Sequence, residues 1–225
     1  MGSTDGGEVG ARPPSPEPTV LVTGSAGGSL SSVALQLLKA RIGPADGIVL
    51  VVFETSPARL IQRLTAGPRG IDRDALVVVD CRRTAEPGEA ETGRVRRVQP
   101  GGSHLAVDRA VLDGLDWLAA HEIERRHFLF DSLAVGEWLP DSDAVYHLAY
   151  ELAMTVGAED GLGAFVVESA GLPTDDIDRL GHLFDVRLEL KRDEGTSQVR
   201  WTGLLGGSDG WLPTEQVDFR AADFG

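Results

Sequence analysis

Residues Val20–Ser32, which read VLVTGSAGGSLSS, decide the fold of this chain. A short aliphatic run enters a turn rich in glycine and serine, and a segment of helical period follows it. This is the frame of a G-x-x-x-x-G-K-[ST] phosphate-binding loop, in which backbone N–H groups surround phosphate oxygens, a lysine contacts them and a hydroxyl holds Mg²⁺. The stretch therefore predicts a strand, a tight loop and a helix in that order.

The loop departs from this pattern at its charged position. Leu30 stands where the lysine belongs, and Ser29 occupies the second glycine position. The residues that still suit phosphate are Gly24, Gly27, Gly28, Ser29, Ser31 and Ser32. The sequence therefore keeps the outline of a phosphate cradle and loses its cation.

No nearby lysine replaces the missing one. The chain has only two lysines, Lys39 and Lys191. Lys39 lies nine residues after Leu30 along the expected helix, roughly 13 Å away at about 1.5 Å per residue. Taken alone, the segment also fits an ordinary strand-to-helix turn in which Ser29 caps the helix.

Length and composition indicate one globular domain. The chain has 225 residues, 42% of them hydrophobic, which is enough to bury a core. Residues 1–17 are rich in glycine, proline and acidic side chains and predict a disordered tail, so we expect a single domain over residues 18–225. No apolar run is long enough to span a membrane and no signal peptide is visible, so we expect a cytoplasmic protein.

The charge balance excludes some partners. With 35 acidic and 21 basic residues the net charge is −14, which opposes general binding to nucleic acid or to anionic membranes. An acidic, lysine-poor composition is also typical of proteins from salt-loaded cytoplasm, and we expect a halophilic archaeal source. The single cysteine, Cys81, excludes an intrachain disulfide.

Apolar runs alternate with segments of helical period, which is the rhythm of a parallel α/β sheet covered on both faces. Strands are expected at 19–23, 48–53, 76–80, 127–130 and 163–167, and helices at 29–42, 57–64, 107–121, 144–156 and 175–183. The strands expected at 186–190, 198–202 and 210–213 follow a different, antiparallel rhythm, with Asp193-Glu194-Gly195 as a hairpin turn. The polar, arginine-rich segment 82–102 predicts a solvated loop, with an anion or partner contact as the alternative.

The order of these elements resembles the RecA/KaiC-like P-loop ATPases. Beyond the loop, Val33–Leu38 is similar to the helix that follows the loop in this family, and Val49–Pro57 is similar to its strand that ends in paired glutamates. Asp131 ends a strand that resembles the Walker B strand. Arg200-Trp201-Thr202-Gly203 stands where the family carries K-x-R-G, a sensor of the nucleotide in a neighbouring subunit.

The resemblance implies a RecA-like three-layer α/β fold with a mostly parallel sheet and a C-terminal antiparallel hairpin. It implies catalytic remnants at Glu54, whose partner glutamate is Thr55 here, and a Mg²⁺ site at Asp131 and Ser31. Glu54 also fits a helix N-terminal acid, and Asp131 also fits a cap of the next turn. Without the lysine, we expect ATP with Mg²⁺ to bind weakly or not at all.

Two functions follow from this pattern. The first is a degenerate RecA/KaiC-like domain that hydrolyses ATP weakly or not at all and acts as a regulatory module by binding a protein partner or itself. The alternative is a divergent but active ATPase in which an arginine from residues 82–97 or from a neighbouring subunit supplies the missing charge. The five histidines lack metal-ligand spacing, and the absence of G-x-S-x-G at the first strand turn argues against a serine hydrolase.

Overall fold

The structure is a computed structural model that describes residues 17–25, 29–67, 70–82, 94–98, 104–133, 139, 141–169, 172–203, 206–208 and 210–220. The helices are α1 (Ser29–Arg41), α2 (Pro57–Thr65), α3 (His104–Ala120), α4 (Ser142–Gly157) and α5 (Thr174–Gly181). The strands are β1 (Thr19–Gly24), β2 (Gly47–Val52), β3 (Leu76–Asp80), β4 (Arg94–Arg97), β5 (Arg126–Leu133), β6 (Gly163–Glu168), β7 (Val186–Asp193), β8 (Thr196–Gly203), β9 (Gly206–Gly207) and β10 (Leu212–Pro213).

The described strands form one mixed sheet in the order β10-β8-β7-β1-β6-β5-β2-β3-β4, and β9 pairs with β8. All pairs from β7 to β4 are parallel, whereas β8 runs antiparallel to β7, β9 and β10. The predicted mostly parallel α/β sheet with an antiparallel C-terminal hairpin is therefore confirmed.

Helices cover both faces of the sheet and give three layers. The first hydrophobic cluster packs α1 and α2 against one face, through residues such as Leu35 and Leu64. The second packs α3, α4 and α5 against the other face, through residues such as Val111, Leu148 and Leu180. The central strands are buried on both sides, which explains why β2 reads as a continuous apolar run rather than an alternating one.

The C-terminal hairpin has the predicted turn. Asp193 pairs with Thr196, so Glu194 and Gly195 form a two-residue connection. Their φ angles are 47° and 85°, and positive φ at both positions is the type I′ geometry that matches strand twist. The predicted strand at 210–213 is shorter than expected, since only Leu212–Pro213 pairs with β8.

One prediction for the arginine-rich segment is wrong. We expected a solvated loop over residues 82–102, but Arg94–Arg97 form the parallel edge strand β4 beside β3. The strand escaped prediction because three of its four residues are arginines. An edge strand needs few apolar side chains, and its charges oppose pairing with another sheet. Residues 83–93 and 99–103 lie outside the described residues.

Glu17 forms ion pairs that hold the segment before β1 against the domain. Glu17, which the sequence assigned to the tail, pairs with Arg41 at 3.4 Å and also with Arg125. The rest of the predicted tail, residues 1–16, lies outside the described residues. Among the residues described, no helix is long and apolar enough to cross a membrane.

Candidate functional site

The predicted site residues that the structure describes lie at the carboxyl edge of the sheet, where parallel α/β folds place their ligands. There β1 ends at Gly24, and its neighbour β6 separates it from β5, which carries Asp131. The next strand, β2, ends at Val52, which lies between Asp131 of β5 and Asp80 of β3 in register. Two acidic strand ends therefore flank β2 at the edge where α1 begins.

Gly24 starts the loop in a conformation that requires glycine. Its φ is 150°, and a Cβ added there would lie 2.0 Å from the backbone oxygen of Leu190. A side chain at this position would have to displace the backbone of β7. This close approach explains why the position is a glycine, and the role predicted for Gly24 in binding phosphate stays a prediction. Gly27 and Gly28 lie outside the described residues.

Leu30 does not point into the loop. Its side chain is fully buried in the core cluster beneath α1, together with Val22 and Leu50. The physical reason is its chemistry, because an aliphatic side chain gains about 1.5–3 kcal/mol from full burial. At the position of the missing lysine the chain therefore uses its side chain to pack the core.

Ser31 and Asp131, the two residues predicted to hold Mg²⁺, do meet. The Oγ of Ser31 donates a hydrogen bond of 2.5 Å to Oδ1 of Asp131. Asp131 is 1% exposed, and its second oxygen, Oδ2, is buried without a hydrogen-bond partner in the described part of the chain. We call these two residues the Ser31–Asp131 pair.

The pair has oxygen atoms that suit a hard cation, but few further metal-ligating side chains lie near it among the described residues. Carboxylate and hydroxyl oxygens are the ligands that Mg²⁺ takes in proteins, and the unpartnered Oδ2 is a free acceptor. However, no group of three or more His, Cys, Asp or Glu side chains that could hold a metal occurs among the described residues. The pair fits a Mg²⁺ that keeps most of its water shell, but it does not supply the positive charge that a triphosphate needs.

The other loop hydroxyls frame the start of α1. Ser29 is the first residue of the helix, and Ser32 follows Ser31; all three are partly exposed. Ser29 and Ser32 can therefore reach solvent at the helix N-terminus, where backbone N–H groups favour an anion.

Glu54, the predicted catalytic remnant, is not engaged with the pair. It lies on a bend two residues after β2 and is exposed, and its carboxylate has no hydrogen bond or ion pair with any described residue. Its neighbour Phe53 donates a backbone hydrogen bond of 3.1 Å to the carbonyl of Asp131, which fixes this bend beside β5. The structure therefore brings Glu54 to the same edge of the sheet without assigning it a contact.

Asp80 is a buried carboxylate that the sequence reasoning missed. It ends β3 at 2% exposure, and Arg82 holds both of its oxygens: Nε lies 3.0 Å from Oδ1 and Nη2 lies 3.0 Å from Oδ2. The backbone N–H of Arg82 donates a third bond of 3.1 Å. An acid that ends an apolar strand, followed two residues later by arginine, is the signal that could have identified this bidentate pair.

The cations considered as replacements for the missing lysine have other partners. Arg96 pairs with Asp113 at 3.3 Å, Arg97 lies 3.9 Å from Asp80, and Arg94 stacks over the ring of Trp117 at 4.0 Å. Lys39 donates to the carbonyl oxygens of Arg63 and Ala66, at the C-terminal end of α2. Each of these cations is therefore held by contacts within the domain.

The segment that resembles a nucleotide sensor is part of the hairpin surface. Arg200 pairs with Glu189 on β7 and lies 4.9 Å from the ring of Trp211. Thr202 and Gly203 are exposed on β8. Because Arg200 is neutralised within its own chain, its present contacts are those of a structural residue.

The histidines also have structural contacts. His127 is fully buried; its Nε2 lies 2.9 Å from Asp46, and its Nδ1 accepts a hydrogen bond from the backbone N–H of Leu162. Burial acts to raise the pKa of Asp46, but the hydrogen bonds from His127 and the Gly43 amide outweigh it and lower this pKa below its usual value. The contacts of His127 are therefore those of a buried structural residue.

Comparison with known proteins gives a family and a similar fold. A family model described as a family of unknown function, DUF7504, matches residues 18–190, from the start of β1 into β7. No curated protein matches the chain. Among solved structures, it is similar to the KaiC-like protein PH0186 from the hyperthermophilic archaeon Pyrococcus horikoshii OT3, with a TM-score of 0.49 and 13% identity over 84% of this chain and 79% of that one.

Proposed function

The chain belongs to DUF7504, a family of unknown function, and we propose that it is a degenerate RecA/KaiC-like P-loop domain. In this proposal it hydrolyses ATP weakly or not at all and acts as a regulatory module that binds a protein partner or a second copy of itself. ATP with Mg²⁺ is at most a weak ligand.

The observation that carries the proposal is the complete burial of Leu30 in the core. Enzymes that transfer phosphoryl groups lower the barrier mainly by positioning and by neutralising charge on the transferred group. A hydrogen bond from a charged donor contributes roughly 1.5–3 kcal/mol, and Leu30 offers none. Its place in the core means that a rotamer change cannot turn this side chain into a phosphate ligand.

The contacts of the other cations support the same conclusion. A phosphate that enters the loop would have to draw Arg82 away from a buried carboxylate, or Lys39 from the carbonyl oxygens it caps. Removal of one member of a buried ion pair typically costs about 3–5 kcal/mol, which exceeds what one phosphate contact returns. The cost makes an intrachain rescue by Arg82 unfavourable.

The proposed role in binding another protein does not require a nucleotide for folding. The described helices and strands bury two hydrophobic clusters against each other without one. Its negative charge favours a partner with a basic face and a rate of association that falls with ionic strength.

One observation favours the alternative of a divergent ATPase. The unpartnered Oδ2 of Asp131 is an open cation ligand at 1% exposure, and a buried acceptor without a partner needs an explanation. In that case the missing positive charge would come from an arginine of a neighbouring subunit, because the described arginines of residues 82–97 have partners of their own.

ATP turnover by the purified protein in concentrated KCl separates the two functions. The proposal predicts phosphate release that is no faster than in the Asp131→Ala and Glu54→Ala variants. Turnover that disappears in both variants would show that the site is active. Asp72→Ala serves as the matched control, because Asp72 is an exposed acid away from this edge that caps the short 3₁₀ helix at Arg73–Ala75.

Light scattering with and without ATP and Mg²⁺ tests the assembly. A degenerate site predicts the same mass in both conditions, whether the protein is a monomer or a dimer. Growth of the particle to a ring only when nucleotide is present would favour the divergent ATPase.

A further inference from the structure

The exposed apolar side chains of the domain are concentrated on two neighbouring helices. Among the described residues, five large hydrophobic side chains are exposed, and four of them lie on α3 or α4: Leu105 (58% exposed), Leu112, Tyr150 and Met154 (62% exposed). The fifth, Leu212, lies on the edge strand β10. Single exposed apolar side chains are normal on a protein surface, whereas a group of them on one face marks an interaction site.

The four side chains form two rows along one groove, which we call the α3–α4 groove. The helices pack side by side, and Nε2 of His104 on α3 lies 3.9 Å from Oε1 of Glu151 on α4. The two exposed leucines of α3 are seven positions apart and the two exposed residues of α4 are four apart, so each pair shares one helix face. Since Leu105 adjoins His104, and Tyr150 and Met154 lie within one turn of Glu151, the rows begin opposite each other.

The groove carries acidic side chains that the helices do not neutralise. α4 contains no lysine or arginine, and the single arginine of α3, Arg109, pairs with Asp113 at 3.2 Å. Asp108 lies one turn after His104 and has no ion pair with any described residue. Asp108 and Glu151 therefore place two carboxylates between the apolar rows.

The two carboxylates are close enough to repel each other. Burial and, to a lesser extent, the charge of Glu151 raise the pKa of Asp108 above its usual value, against a smaller opposite effect of His104. His104 neutralises Glu151 only when its imidazole is protonated. The side chain of Glu151 is 36% exposed, so a cation from outside the chain can reach this carboxylate and lower the repulsion.

These features select the kind of partner. A second copy that docked through the same face would bring Asp108 and Glu151 against their own equivalents, and like charges across an interface oppose association. A partner segment with basic and apolar side chains matches both the carboxylates and the rows. The axes of packed helices are about 8–10 Å apart, and an amphipathic helix fills a groove of this kind with side chains at i, i+3, i+4 and i+7.

We infer that the α3–α4 groove binds an amphipathic, basic helix of a partner protein. The apolar side chains of that helix pack on the two rows, and a lysine or arginine pairs with Asp108 and Glu151. The inference rests on the proposed role in protein binding, for which it names the face and the chemistry of the partner. It does not rest on the loss of ATP hydrolysis, because α3 and α4 cover the sheet face opposite α1, which carries Ser31.

The test uses a labelled synthetic helix of about 18 residues, or about five turns, built from leucine and lysine in helical period. Fluorescence anisotropy follows its binding to the full chain at constant ionic strength, because salt screens charge. A peptide of the same composition in scrambled order is the control for the net charge of the protein. We expect the amphipathic peptide to bind at least about tenfold more tightly, since it alone buries apolar area while it pairs its charges.

Equal affinities of the two peptides would mean that only the overall negative charge attracts them, and the inference would be wrong. It would also be wrong if neither peptide bound.

Matched variants assign the face. Met154→Ser removes the most exposed of the four apolar side chains and should weaken peptide binding about tenfold. Leu212→Ser removes an exposed leucine on β10 and should bind as the wild type does. Asp108→Asn should weaken binding and reduce its dependence on salt, whereas Asp72→Asn, at an exposed acid away from the groove, should do neither. Equal losses within either pair would overturn the assignment.

Sedimentation of the chain alone tests whether a second copy covers the groove. We expect Met154→Ser and the wild type to have the same mass at every concentration. A wild-type dimer that dissociates in Met154→Ser would overturn the inference and leave the proposed binding to a second copy standing. ATP turnover that is lost in Asp131→Ala would instead contradict the degenerate domain and leave the groove standing.

Discussion

Two buried aspartates end strands on either side of β2, and the fold treats them differently. Asp80 and Asp131 are both paired in register with Val52, and both are almost completely buried. Asp80 is held by both arms of the Arg82 guanidinium. Asp131 accepts one serine hydroxyl on one oxygen, and its other oxygen has no hydrogen-bond partner among the described residues.

The difference separates a structural carboxylate from one that stability alone does not explain. A buried charge costs several kcal/mol unless it is paired, and Arg82 supplies the pairing for Asp80. Asp131 has no such compensation among the described residues. Its position at the carboxyl edge of β5 suits a metal ion, and it is the observation that favours the alternative of a divergent ATPase over the degenerate domain that we propose.

The largest effect is expected for Asp80→Asn. The variant leaves the guanidinium of Arg82, at 10% exposure, without its counter-ion, which typically costs about 3–5 kcal/mol. Urea unfolding at neutral pH measures the loss. A change in the free energy of unfolding below about 1 kcal/mol would show that the Asp80–Arg82 ion pair contributes little to stability.

An intermediate loss of stability is expected for a third aspartate, Asp46, which lies at the opposite edge of the sheet. Asp46→Ala leaves His127 Nε2 and the Gly43 amide without their shared acceptor, so we expect a loss of about 1–3 kcal/mol. Because the pKa of Asp46 is lowered in the folded state, its contribution is present above the usual carboxyl pKa and is lost as the pH falls through the lowered value. The stability of Asp46→Ala should therefore fall less steeply on acidification than that of the wild type.

Asp131→Asn should change stability little. The amide keeps an acceptor for Ser31 and removes a buried charge without a counter-ion, so we expect a change within about 1 kcal/mol, in either direction. The same urea titration as for Asp80→Asn gives the measurement, and the two variants are each other's matched control. A loss as large as that of Asp80→Asn would mean that Asp131 has a structural partner.

The smallest effect is expected in the rate at which a thiol reagent modifies Cys81, next to Asp80. Burial and, to a lesser extent, the adjacent Asp80 carboxylate raise the pKa of this thiol to about 12, so its thiolate is scarce at neutral pH. A thiol reagent should modify the native protein very slowly, and no faster in Asp131→Asn. Asp80→Asn should react faster, because it opens more often and the local negative charge is gone; equal rates in all three proteins would contradict this.

Much of the fold could be predicted from the sequence. Apolar patterns indicate directly which residues are buried, as in the continuous runs of β2 and β6 and the helical period of α3 and α4. Burial of apolar side chains is the largest favourable contribution to folding, so these elements could be predicted. The hairpin turn was predictable because only a few residue types accept positive φ. The edge strand β4 was not, because its pairing with β3 depends on backbone hydrogen bonds that leave no apolar pattern.

The site was predictable in part, and the limit has a physical cause. Local motifs located Ser31 and Asp131, which lie 100 positions apart and meet in the structure. The same motifs could not show that Leu30 turns into the core, since this depends on packing between distant elements. Partners that are distant in sequence, such as Asp46 and His127, leave no signal in either segment alone.

A titration of the purified chain in concentrated KCl with a fluorescent ATP analogue, with and without Mg²⁺, measures directly whether the loop binds nucleotide. We expect no saturable binding in the micromolar range and no effect of Mg²⁺. Micromolar binding that requires Mg²⁺ and is lost in Asp131→Ala, but not in Asp72→Ala, would show that the site still holds nucleotide and that the domain is not degenerate.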